Sequence, residues 1–260
     1  MILGAFRSQW VKLRRPTLLA TTYAGLTAVS GLFTVLVFLR ASRARAGDFI
    51  TLQQLAQPNG LARGLSRAAL LLGVVAFGVA AAQIAFDYSL GTLRQLLVRQ
   101  PRRVVFLAGT ATAILSFLAG AVLCAGAGGA LAAMVMAHVK HVPTTAWTSS
   151  SGLADLARAL GDVALAVMGY GILGMLAGLL LRSPAPAVVV GFVYLLPVEG
   201  ILGAVVRNAD RWLPGLQMAA ISSGGTGDVT FSHALVVGAA YAALAAVAGV
   251  VLFARRDVTA

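Results

Sequence analysis

One carboxylate, Glu199, stands alone in the apolar string LLPVEGILGAVV. A charge held at membrane depth is costly and tends to be functional. Glu199 is therefore a candidate ion site. Pro197 interrupts the helix just before it, and a position near the outer interface is the favoured expectation. His138 and His141 lie three residues apart around Lys140. That spacing would put two imidazoles on one helix face, but Pro143 follows and no third ligand is evident, so a metal site is not expected. Asp155 and Asp162 flank polar turns and read as helix-end residues. His233 reads as interfacial. No GxxxxGK[ST] loop, nucleophile–base pair or zinc pattern occurs.

The remaining candidate is FDYSLGTLRQLLVRQPRR, residues 86–103, with four arginines and one aspartate between two greasy stretches. Leu90, Leu93, Leu96 and Leu97 line one side of a helix starting near Ser89. Thr92, Gln95 and Arg99 lie towards the other. The segment is too short to span and too apolar for a free loop. It suits a short helix on the membrane surface. Its residue pattern alone leaves two readings open: a connector with snorkelling arginines, or a docking element for a soluble partner.

The elements that must hold these residues are membrane spans. The chain has 260 residues, of which 59% are hydrophobic and only 11% charged, and its mean hydropathy is +0.89. Soluble domains carry about 25% charged residues, and uncharged runs this long leave no polar face for water. The expected fold is all-α and polytopic, with six spans near 17–39, 68–86, 104–126, 163–181, 185–206 and 234–254. Residues 1–16 form an amphipathic interface helix, with Leu3, Phe6, Trp10 and Leu13 at helical spacing, and Pro16 marks its turn into the membrane. Residues 17–260 form a single transmembrane domain. A short helix is expected in FITLQQLAQ. The string GAGG at 126–129 is expected to bend the third span, with LAAMVMA as an interfacial continuation. Another short helix is expected after Ser151, separate from span 4. Residues 200–233 are mixed: ILGAVV is apolar, RNADRW is polar, and SSGGTGD is a flexible loop.

The net charge of +12 is loop arginine facing anionic headgroups and membrane lipids. Nucleic-acid binding is not expected, because no basic domain stands outside the spans. The lone cysteine, Cys124, makes no internal disulfide and reads as a small packing residue. The basic residues divide almost evenly between the two sides, so charge sets orientation only weakly.

Residues 86–103 resemble the signature between the second and third spans of ABC-2 type permeases, the membrane subunits of bacterial ABC exporters. The family pattern is an acidic residue, an aromatic, two variable positions, Gly-Thr, a hydrophobic residue and a basic one. Here these are Asp87, Tyr88, Gly91, Thr92, Leu93 and Arg94, continued by Leu96, Leu97, Pro101 and Arg103. The chain departs from the pattern in having Asp87 where many relatives have Glu. It also has Ala108, Gly109 and Thr110 where many carry a lysine.

The resemblance implies that this segment is a cytoplasmic coupling helix docking on a separate ATPase, with Asp87, Tyr88, Gly91, Thr92, Leu93, Arg94 and Leu97 at the contact. It implies two ATPase subunits per complex, which hold the ATP and Mg. It also implies a re-entrant outer segment between spans 5 and 6, formed by ILGAVV and WLPGLQMAAI, with Pro197 and Glu199 at an outer gate. This chain would bind no cofactor and catalyse no reaction. It would pair with itself or a similar permease in the bacterial plasma membrane, with both termini cytoplasmic. The substrate is not legible. The rival expectations are a stand-alone secondary carrier or integral membrane enzyme, and a membrane scaffold or sensor component.

Overall fold

The computed structural model of the protein describes residues 2–43, 50–90 and 103–255. Among them no strand occurs, and six helices are long and apolar enough to cross a membrane. The protein is an all-α polytopic membrane protein.

Helix α1 (Ile2–Leu13) ends at a turn over Arg14 and Arg15, and Pro16 opens α2 (Pro16–Ala41) at its first position, where a missing N–H costs nothing. The short α3 (Leu52–Leu55) starts with a capping box: Thr51 accepts the N–H of Gln54, and the Gln54 side chain accepts the N–H of Thr51. A 3-10 turn over Pro58–Ala62 leads into α4 (Arg63–Ser89). Next come α5 (Arg103–Val139) and α6 (Ser150–Leu181). Arg182 turns the chain in the left-handed region, φ 54°. Then follow α7 (Pro184–Val205), α8 (Pro214–Ser222) and α9 (Phe231–Arg255). The end of the bundle carrying α1 is the near end. The end carrying α3 and α8 is the far end.

Three expectations change. The third span is not interrupted at GAGG, and LAAMVMA continues it as helix. It is one helix of 37 residues, about 55 Å long at 1.5 Å per residue. The glycines there admit neighbours: a Cβ on Gly129 would stand 2.6 Å from the Ser30 hydroxyl of α2, and one on Gly128 would collide with Thr27. Their missing side chains serve close helix packing. The separate helix after Ser151 does not exist either. Ser149 caps Gly152 N at 3.1 Å, and α6 runs unbroken for 32 residues. Finally, Pro197 does not break span 5. The proline lacks an N–H, and the chain absorbs the fault in a π-helical turn over Tyr194–Val198, where Glu199 N bonds Tyr194 O.

Helix α4 is the centre of the bundle. Its most apolar window is 61% buried, against 17% for those of α7 and α9, which therefore form the outer layer. Gly174 and Gly178 let α6 approach the α4 backbone at Phe77 and Ala81. At the far end Trp147 seals a second cluster, donating its indole N–H to Leu55 O at 2.9 Å and meeting Phe38 edge-on. Cys124 is exposed on α5 rather than packed inside.

Candidate functional site

Asp87 sits in the last turn of α4, and α1 reaches across to it. Lys12 Nζ donates to the carboxylate at 2.8 Å, with side-chain exposures of 28% and 13% for Lys12 and Asp87. The buried Gln9 donates from Nε2 to the other oxygen at 3.4 Å. Gln9 and Lys12 are three apart, so one face of α1 presents both donors. The opposite requirement on α1 is to lie flush on α5. Ala5 is fully buried there, and a Cβ on Gly109 would stand 2.5 Å from it. Phe6 and Trp10 stack at 5.5 Å beside this contact. The amphipathic helix is thus built into the bundle as well as shaped for an interface.

Tyr88 follows directly. The guanidinium of Arg182, at the α6–α7 turn, lies 5.9 Å from its ring centre, a cation–π distance. On the other side of the near end, Arg103 donates to Ala254 O at 3.2 Å and Phe106 stacks on Phe253. The near ends of α1, α4, α5, the α6–α7 turn and α9 are therefore joined by specific contacts. Of the sequence-predicted contact residues, Asp87 and Tyr88 stand in this junction. Gly91, Thr92, Leu93, Arg94 and Leu97 lie outside the described residues.

Glu199 belongs to a second constellation. It is fully buried, 15 residues into α7 and so about 22 Å along the axis from Pro184. Its carboxylate accepts the backbone N–H of Gly215 at 3.1 Å and of Leu216 at 2.9 Å. Pro214 has no N–H, so these are the first-turn donors of α8 that lack an intrahelical partner. Leu213, at the N-cap position, has no capping side chain. Glu199 supplies the cap from 16 residues away, and its charge suits the positive end of the helix dipole. Tyr170 of α6 donates its hydroxyl to Gly215 O at 2.7 Å. The buried Gln217 donates to Asp210 O. Helix α8 therefore inserts between α6 and α9 and is held by side chains of spans 4 and 5. Tyr170, Gly215 and Gln217 were not singled out in the sequence. The signal for α8's missing cap was the string LPG at 213–215, a proline-opened helix with no Ser, Thr, Asp or Asn before it.

His138 lies in the last turn of α5, whereas His141, beyond its end, has φ 54°, so the two do not share a helix face. Both line an apolar far-end cavity of about 630 Å³ with Met134 and Trp147. No group of three metal-binding side chains occurs among the described residues. The ring of His233 lies 3.0 Å from Arg211 O and meets Trp212 edge-on.

No curated protein matches the sequence. The family described as a protein of unknown function, DUF2705, matches residues 17–259. That is nearly the whole chain, and the protein belongs to this family.

Proposed function

We propose that the protein is the transmembrane permease subunit of an ATP-driven ABC-2 type exporter. The near end faces the cytoplasm, residues 86–103 form the coupling element, and a separate ATPase binds and hydrolyses ATP with Mg. Two copies of the chain, or this chain and a similar permease, form the path, and an ATPase docks under each. The subunit gates and does no covalent chemistry.

The observation that carries this reading is the clasp of Lys12 and Gln9 on Asp87. It ties α1 to the base of α4 immediately before residues 91–102. A push arriving through that segment would reach α4, the most buried span, and α1 together. The cation–π contact of Arg182 with Tyr88 extends the same linkage to the α6–α7 turn. Transmission by stiff pieces needs such short links. A carrier working alone would need an ionisable group free to exchange its ion at membrane depth. Glu199 is already engaged with two backbone N–H groups, which favours the exporter reading.

The test is a cross-link. A photoreactive side chain at Leu93 or Arg94 is expected to capture an ATPase subunit in native membranes. The same group at Val236, on the exposed outer face of α9, is expected to capture none. Capture of no ATPase from either near-end position would count against the proposal.

A further inference from the structure

We propose that a polar cleft at the far end binds a zwitterion joining a phosphate to an ammonium group, as in a phosphoethanolamine headgroup. The phosphate is held by Arg63 and Arg67, and the ammonium by Asp162. The inference is independent of the exporter reading.

The cleft has a volume of about 730 Å³ and lies between the first turns of α4, the first turns of α6 and the turn at 222–226 after α8. Arg63 and Arg67 are four apart on α4 and so share a face. Neither forms an ion pair among the described residues. The cleft has two carboxylates. Asp155 is engaged by Arg158 at 3.2 Å. Asp162, two turns further along α6, has no ion pair among the described residues. Gly224, at φ 72°, brings the 222–226 turn over it, since a Cβ there would stand 3.8 Å from Oδ2. The cavity is lined by three arginines and two carboxylates, and beside the Asp155–Arg158 pair, Arg63, Arg67 and Asp162 face it without pairing with each other.

That arrangement discriminates between ligand classes. A simple anion would leave Asp162 without a counter-charge, and a simple cation would leave both arginines without one. A ligand with both signs satisfies all three. Guanidinium groups suit phosphate because their planar forks match its oxygens. The volume exceeds that of a bare ion and accommodates a headgroup with its glycerol. Val37, Ala62 and Ala159 supply apolar wall where the chains would begin.

Depth points the same way. Asp162 lies 19 residues before Leu181, and Arg67 22 residues before Ser89. At 1.5 Å per residue those are about 29 and about 33 Å from the near end. The hydrocarbon core is about 30 Å thick. The charges therefore stand at the level of the far headgroup layer.

The experiment is native mass spectrometry of the purified full chain in detergent. It would be titrated with phosphatidylethanolamine, phosphatidylglycerol and water-soluble glycerophosphoethanolamine. The wild type is expected to bind phosphatidylethanolamine about tenfold more tightly than phosphatidylglycerol. Arg67→Gln, at an exposed position, is expected to weaken both lipids by about tenfold. Asp162→Asn is expected to abolish the preference while keeping the phosphate. Glycerophosphoethanolamine binding as tightly as the lipid would support the site and assign its ligand to the aqueous side. Weaker binding of that compound would assign it to the membrane. Equal binding of the two lipids by the wild type, an unchanged preference in Asp162→Asn, or an unchanged affinity in Arg67→Gln, each at unchanged thermal stability, would overturn the proposal.

Discussion

Glu199 accepts the backbone N–H of Leu216 at 2.9 Å, so a carboxylate of the fifth span is the N-terminal cap of the inserted helix α8. The bond crosses between elements in a low-dielectric interior, where losing one partner leaves the other unsatisfied. Under the exporter reading it also fixes what must move together at the far end: α8 travels with the far half of α7.

Glu199→Ala is expected to cost about 2–5 kcal/mol of stability, since it strands two buried donors. Glu199→Gln keeps an acceptor and is expected to cost less than half of that. Thermal unfolding in detergent measures both. A thiol at Leu216, introduced with Cys124→Ser, is expected to become reactive from the far side in the alanine variant alone. Equal stability of wild type and Glu199→Ala would refute the cap.

Lys12 and Asp87 are expected to couple by about 1 kcal/mol in a double-mutant cycle of Lys12→Met and Asp87→Asn, because the pair is partly exposed and screened. If the clasp transmits motion, Lys12→Met leaves the subunit inserted but lowers ATP-driven export. An additive cycle would show that the two side chains do not interact in the membrane.

Glycine substitutions separate packing from span filler. A Cβ at Gly174 would press into the Phe77 carbonyl, whereas one at Gly25 meets nothing within 4 Å. Gly174→Ala is therefore expected to destabilise by about 1–3 kcal/mol. Gly25→Ala is expected to stay within about 1 kcal/mol of wild type, in the stabilising direction. Unfolding midpoints of the two variants decide this, and equal shifts would contradict the α4–α6 packing.

Trp147→Phe removes the indole donor to Leu55 O but keeps the ring bulk. The expected loss is about 1–2 kcal/mol, read as increased proteolysis of residues 50–62 in intact vesicles. Unchanged cleavage would mean that the far-end cluster closes without this bond.

The six spans, the amphipathic start and the helix in FITLQQLAQ were legible because hydrophobic runs and a capping box are local signals. What escaped the sequence was set by partners far along the chain. Whether GAGG bends a helix or opens it to a neighbour depends on Thr27 and Ser30, about a hundred residues away in α2. The first turns of α6 read as a loop because polarity resembles irregular structure wherever a helix extends past the hydrocarbon. Glu199 was picked out as a lone carboxylate, but its use as a cap needed α8 to fold back on it. Asp87 was identified from its pattern, while its clasp by Lys12 joins residues 75 apart in sequence.

The most direct test is affinity purification of the tagged wild-type chain from mild-detergent membranes, with every co-purifying protein identified, beside a Leu93→Asp variant that still inserts. An ATPase subunit retained by the wild type and lost from the variant is the expected result. A stable wild-type chain that brings down no ATPase, under conditions that preserve known transporter complexes, would contradict the coupling role of residues 86–103.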